Sequence, residues 1–197
     1  HAGHYQYVYG NSHGFLHHAQ GSRHSMSCSV VAADDGGMQR DYWYDLARSH
    51  TDLGTPEAIG RTAAERTVRR LGGRSLPTGN YPVLFDATVA GGLIGHLVGG
   101  LSGGALYRQS SFLTDSLGTQ ILPEFLHLRE EPHIARALGS TYFDAEGVAT
   151  APRFVIEGGR LQGYFLSSYS ARKLGMHTTA NAGGAHNLLL NHTCATQ

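Results

Sequence analysis

The sequence predicts an α+β fold: antiparallel sheet hairpins plus helices, in two partial domains joined by a Gly/Pro linker. Three observations carry this. Residues 24–31 alternate with period two ahead of Asp34-Asp35-Gly36-Gly37. Ile59, Ala63, Thr67 and Leu71 recur at four-residue spacing behind Thr55-Pro56. Two strand-like runs, Arg153–Glu157 and Arg160–Tyr169, flank Gly158-Gly159. Period two marks a half-buried strand, and a four-residue stripe marks an amphipathic helix. A Gly-Gly pair between two strand runs marks a hairpin.

Along the chain, Tyr5, Tyr7 and Tyr9 alternate, and Asn11-Ser12-His13-Gly14 supplies turn chemistry. In the next strand Met26, Cys28 and Val30 face one way and Ser25, Ser27 and Ser29 the other, so Cys28 reads as a packed core thiol. Asp34 to Gly37 offers a tight turn, and the return strand carries Met38, Tyr42, Tyr44 and Leu46. A helix is predicted over 55–71, with Thr55 as N-cap and Pro56 in the first position. Glu57–Arg61 and Glu65–Arg69 are i,i+4 pairs on its wet face, and Gly72-Gly73 ends it. Residues 73–80 form the linker between 1–72 and 81–197. Tyr81–Phe85 reads as a short buried strand. Leu122-Pro123-Glu124 breaks the chain, and Leu126–Arg129 reads as another strand.

Composition narrows the function classes. The 197 residues are 41% apolar and 15% charged, enough to fill a core. Lys+Arg 15 balances Asp+Glu 15, so no net field draws the chain to nucleic acid or to an anionic membrane. Cys28 and Cys194 are too few for a disulfide framework or a Cys-x-x-Cys site, and a reducing, cytoplasmic compartment is expected. Histidine is abundant, 13 in all with six in the first 24 residues. His13 and His17 could share a face, but at this frequency such coincidences are incidental.

Residues 87–107 hold 21 positions without Asp, Glu, Lys or Arg, and Gly91, Gly95, Gly99 and Gly103 recur every fourth residue. The length suits a membrane span and the glycine spacing suits close helix contact. Seven glycines against four leucines, with His96 in the middle, favour instead a buried soluble helix, broken near Ser102-Gly103-Gly104. On that reading Gly95→Leu overpacks the contact, and His96 is a satisfied core residue rather than a metal ligand. No second His lies three to five positions away, and no Glu is adjacent.

No G-x-S-x-G elbow, phosphate loop or ordered G-x-G-x-x-G is present. Asp144 and Glu146 lie two apart, which on an extended segment puts both carboxylates on one side. They are candidates for an acid/base pair or metal ligands, with a solvated or turn-capping pair as the alternative.

Several longer motifs occur in fixed order: Gly36-Gly37-Met38-Gln39-Arg40-Asp41-Tyr42-Trp43-Tyr44, Gly95-His96-Leu97-Val98-Gly99 with Tyr107-Arg108, and Asp115 to Pro123. Phe143-Asp144-Ala145-Glu146-Gly147-Val148-Ala149-Thr150, Ser167 to Gly175 and Thr179 to Gly184 follow. Through these motifs nearly the whole chain resembles the TldD/PmbA family of metallopeptidases, in its PmbA or TldE branch. Family members are longer, and the resemblance is to their middle. It weakens over Leu188–Gln197, where the family's glycine-rich stretch is expected. The TldD branch carries an HExxxH zinc motif on the helix after the short strand. Laid on this chain, its first His falls on Gly95, its Glu on His96 and its second His on Gly100.

The resemblance therefore implies a PmbA/TldE-type subunit of a two-component metalloprotease acting on peptides or unfolded proteins, in peptide-antibiotic maturation and antitoxin degradation. It implies no catalytic or metal-binding residue in this chain, and zinc in a TldD-like partner. His96, Arg108, Asp144, Glu146, Tyr169, Arg172 and Asn181 become candidates for peptide binding or the interface. Partners expected are a TldD-like subunit or self-association and a peptide substrate, with no nucleic acid and no membrane. A non-enzymatic regulatory binding module and an independent hydrolase built on Asp144 and Glu146 are the alternatives.

Overall fold

The computed structural model describes residues 1–193, so Cys194 and the end of the 188–197 segment lie outside the described residues. Contacts divide the chain into two units: His1–Tyr9 with Leu16–Val83, and Gly10–Phe15 with the chain from Leu84 onward. The architecture is α+β, with antiparallel sheets and a few helices.

In the first unit β1 (Ala2–Gly10), β2 (Leu16–Asp34) and β3 (Gly37–Ala47) form one sheet in that order. Strands β2 and β3 pair antiparallel from His24↔Ala47 to Asp34↔Gly37, leaving Asp35-Gly36 as the turn. Gly37 adopts φ 124, a conformation that L side chains rarely take. Helix α1 (Pro56–Val68) is capped by the Thr55 hydroxyl, which accepts from Ala58 N at 3.2 Å. It buries Ile59, Ala63 and Thr67, the predicted stripe.

Three expectations for this unit need correction. The α-helix ends at Val68, and Leu71 is half-buried in the turn that follows. Among the described residues, α1 makes its ion pairs across to the sheet rather than along itself. Asp41 lies 3.6 Å from Arg66 Nε and 3.7 Å from Arg70 Nη1. The cause is that Asp41 and Trp43 occupy the shielded face of β3, where Arg66 also lies over the Trp43 ring at 5.2 Å. Cys28 is paired with Trp43 across the sheet and is only half-buried.

Residues 81–85 form no strand, and Leu84 is 98% exposed. Pro82 lacks a ladder donor, and the Tyr81 hydroxyl instead donates to Pro77 O at 3.0 Å.

The second unit contains α2 (Ala87–Gly100), α3 (Gly103–Tyr107), β4 (Leu126–Glu130), β5 (Arg153–Glu157), β6 (Arg160–Leu161), α4 (Ser168–Lys173) and β7 (Leu188–His192). Its sheet runs β6-β5-β4-β7, with every neighbour antiparallel. Gly158 and Gly159 turn the β5–β6 hairpin at φ 54 and 72. The core holds Leu101, Leu106, Leu128, Val155, Ile156, Leu161 and Leu166. Inside it the Tyr164 hydroxyl accepts from Ser116 N at 2.9 Å and donates to Leu113 O at 3.0 Å.

Strand β6 stops at Leu161 rather than continuing to Tyr169. The chain leaves the sheet because Phe165 pairs with the α2–α3 junction. Phe165 N donates to Leu101 O at 3.0 Å, and Gly103 N to Phe165 O at 2.8 Å. Ser167 then caps α4 in a reciprocal capping box with Ser170.

The glycine segment breaks at Leu101-Ser102 as expected, but α2 is not buried. Its bulky residues Ile94, Leu97 and Val98 pack against the core, at helical spacing with Leu101. Gly91, Gly92, Gly95 and Gly99 point into open space, with nothing within 4 Å of an added Cβ. The first carbon of a Gly95→Leu side chain therefore meets no overpacked contact, and His96 is exposed instead of a core residue. Close approach is realised at Gly103, where a Cβ would collide with Ser170 and lie 2.9 Å from Leu166 Cδ2.

Candidate functional site

The second unit brings most of the predicted residues into two linked groups. Asp144 and Glu146 do not lie on an extended segment. They sit in a tight turn closed by Gly147 N to Asp144 O at 3.0 Å. Asp144 is 4% exposed and accepts three backbone N–H groups: Glu146 and Val148, both at 2.9 Å, and Ala182 at 3.0 Å. Glu146 reaches Ser168 N at the start of α4, with Oε2 accepting at 2.8 Å. Both carboxylates anchor loops, the capping alternative of the sequence reading, and neither is aimed at the other as an acid/base pair.

Asn181, in the loop after α4 that Asp144 holds through Ala182 N, is buried among polar partners. Its Nδ2 donates to Glu130 Oε1 at 2.8 Å and to Gly184 O at 3.2 Å. Its Oδ1 accepts from Arg153 Nη2 at 3.1 Å and from the Thr179 hydroxyl at 2.7 Å. Glu130, 1% exposed, accepts further from Arg153 Nε at 2.7 Å and His186 N at 2.9 Å. Three donated bonds offset the cost of burying that carboxylate. The sequence reading missed Glu130, Arg153 and His186. A signal existed: alternation in β4 puts Glu130 on the face of Leu126 and Leu128, and an acid on an apolar strand face needs partners.

The other group lies on the surface of α3 and α4. Tyr107 and Tyr169 meet edge to face at 5.7 Å, with interplanar angle 83°. Arg108 covers the Tyr107 ring at 5.2 Å, and Lys173 covers Tyr169 at 5.8 Å. Arg172 lies beside Lys173 in the last turn of α4 and is exposed. His96, on the open face of α2, joins neither group.

The N-terminal histidines other than His13 are scattered over the first unit. His17 and His18 stack at 5.9 Å on β2, and His24 stands 5.9 Å from both His4 and His50. A shallow hollow of about 630 Å³ lies near them, lined by His4, Tyr5, Gln6, Gln20, Gly21 and Ser22, and contains no predicted site residue. Among the described residues, no group of three or more His, Cys, Asp or Glu lies close enough to hold a metal ion.

A zinc ion of the TldD type does not fit α2. On the resemblance the motif falls on Gly95, His96 and Gly100, and glycine offers no donor atom. One exposed imidazole stands where zinc needs three or four protein ligands.

Comparison with known proteins places this geometry. Residues 1–71 match the PmbA/TldA metallopeptidase central domain, and residues 78–196 match the PmbA/TldA metallopeptidase C-terminal domain. The chain is 52% identical over 180 residues to metalloprotease PmbA of Escherichia coli O157:H7, covering 91% of this chain and 40% of that protein. It is 46% identical over 183 residues to the metalloprotease PmbA homolog of Haemophilus influenzae, covering 93% of this chain and 41% of that one. The chain thus spans about 40% of the length of these relatives. A crystal structure of a candidate modulator of DNA gyrase from Bacteroides thetaiotaomicron superposes with TM-score 0.85 at 32% identity, over 91% of this chain and 41% of that one. Two family domains in succession, half-identity to a PmbA protein and a shared backbone agree: the chain belongs to the PmbA/TldD family of metallopeptidases.

Proposed function

We propose that this chain is part of a PmbA/TldE-type subunit of a two-component metalloprotease. A TldD-like partner supplies the zinc, and the substrates are peptides or unfolded proteins, such as peptide-antibiotic precursors and antitoxins. The observation that carries the reading is α2. Where a zinc-bearing helix of the family would present two His and a Glu, this helix presents Gly95, His96 and Gly100. The base and both ligands then come from the partner, where zinc activates water. This chain shapes the interface and holds an extended substrate, with exposed strand edges able to take up a further strand. His96, Arg108, Tyr169 and Arg172 are exposed and suit direct contact. Asp144, Glu146 and Asn181 suit the positioning of loops behind it. The matches over 1–71 and 78–196 support reading 1–72 and 81–197, joined by 73–80, as two parts of that subunit.

The independent-hydrolase alternative loses support, because Asp144 and Glu146 spend their oxygens on backbone N–H groups. None of the described helices is long and apolar enough to cross a membrane. With two cysteines in 197 residues, we place the subunit in the cytoplasm.

The test is hydrolysis of an unfolded protein by this chain, by a TldD-type protein and by their mixture. Activity in the mixture well above the sum of the parts is expected. Equal activity with and without this chain would favour the non-enzymatic binding module.

A further inference from the structure

We infer that the α3–α4 surface is a carboxylate-recognition patch that takes the acidic side chains of a bound polypeptide. The inference rests on the peptide-binding reading above and gives that site a substrate preference. The Tyr107–Tyr169 contact brings together Arg108, just past α3, and the last turn of α4, which carries Arg172 and Lys173. All three cations are exposed, and among the described residues none is paired with a carboxylate. The ion pairs described in this unit belong to Arg129 and Arg153. Glu146 is turned to Ser168 N at the opposite end of α4. In a chain whose Lys+Arg 15 equals its Asp+Glu 15, this is a local excess of positive charge.

Two of the three cations are held before any ligand arrives. Arg108 lies over Tyr107 at 5.2 Å and donates from Nη1 to its hydroxyl at 3.0 Å. Lys173 lies over Tyr169 at 5.8 Å. Holding long side chains on aromatic rings removes part of the entropy that binding would cost. The remaining guanidinium donors of Arg108 and the Lys173 ammonium stay free to meet carboxylate oxygens. Nucleic acid fits less well. A base would need a free ring face to stack on, and the chain's own cations cover these rings.

The experiment is fluorescence anisotropy with labelled peptides of one common backbone. One carries Asp and Glu with an amidated C-terminus. A second carries Asn and Gln with an amidated C-terminus, and a third carries Asn and Gln with a free C-terminal carboxylate. A labelled single-stranded oligonucleotide is the fourth probe. Exposed ion pairs are individually weak, so three together should give roughly a tenfold gain for a carboxylate-bearing peptide over the amide peptide at low salt. The gain should shrink at high salt and belong to the Asp/Glu peptide, and a gain confined to the free C-terminal carboxylate would overturn the inference. Arg172→Glu with Lys173→Glu should erase the difference between peptides, and Arg108→Gln should reduce it, in variants whose thermal melts match the parent. Equal or undetectable binding of all peptides, a preference that survives charge reversal, or tighter binding of the oligonucleotide would overturn the inference. Hydrolysis of the amide peptide by the mixed complex without a carboxylate preference sinks the patch and leaves the proposed function standing. A preference in binding with no hydrolysis by the mixture does the reverse.

Discussion

Asn181 donates from Nδ2 to Glu130 Oε1 at 2.8 Å, joining two buried residues 51 positions apart. The bond ties the loop after α4 to the end of β4. Arg153 contacts both partners, so a strand, a loop and a hairpin share one polar centre. The same loop is held from its other side by Asp144, through Ala182 N.

Removing the buried acid should therefore destabilise the second unit as a whole. Glu130→Ala strands Arg153 next to the core and frees Asn181 and His186 N, at a cost of about 3–5 kcal/mol. Urea unfolding followed by fluorescence would measure it. A loss below about 1 kcal/mol would show that the network adds nothing beyond a surface pair.

Asp144→Asn tests the turn by itself. The amide keeps one acceptor oxygen but turns an N–H₂ group toward a backbone N–H. One donor is left unmet if the nitrogen takes the place of Oδ2 and two if it takes that of Oδ1, at about 1–3 kcal/mol for each. Hydrogen exchange should speed up at Ala182, or at Glu146 and Val148, whichever side the amide nitrogen faces. Unchanged exchange at all three would contradict the anchoring role.

Much of this fold is legible in the sequence because local chemistry decides it. Asp35-Gly36, the Thr55 cap and Gly158-Gly159 act within a few residues of themselves, and their elements form where the patterns put them. What was illegible depends on distant partners. Phe165 leaves the sheet for Leu101, and Glu130 gathers donors from β5 and from the loop after α4. Tyr81–Phe85 has strand composition but finds no strand to pair with. The glycines of α2 have the right spacing for close contact, yet spacing does not say which face another element covers.

That last point gives a stability prediction. Gly91 and Gly95 lie inside α2 with nothing within 4 Å of an added Cβ. Gly95→Ala should stabilise the chain by about 0.5–1 kcal/mol through the higher helix propensity of alanine. Thermal melts would measure it, and destabilisation would mean that the open face is packed in solution. By contrast Gly103→Ala, which runs into Ser170, should destabilise by about 1–3 kcal/mol.

In the first unit, acid should act through Asp45. Its carboxylate accepts from Gly54 N and Leu46 N, both at 2.7 Å. Those bonds, the Gly54 one foremost, hold its pKa below the ordinary carboxylate value against a small opposing effect of burial. A depressed folded pKa contributes stability above the unfolded value of about 3.9, and that contribution is lost as pH falls through the folded value. The stability gap between the parent and Asp45→Asn should thus be widest above about pH 5 and close toward acid. A gap independent of pH would remove Asp45 as the cause.

The proposed division of labour between two subunits rests on zinc. The direct measurement is the zinc content of this chain after equilibration with the metal and removal of the excess, on the parent and on His96→Ala. The account predicts far less than one zinc per chain in both, with His96→Ala unchanged from the parent. Stoichiometric zinc in the parent, lost on His96→Ala, would contradict it and return the catalytic metal to this chain.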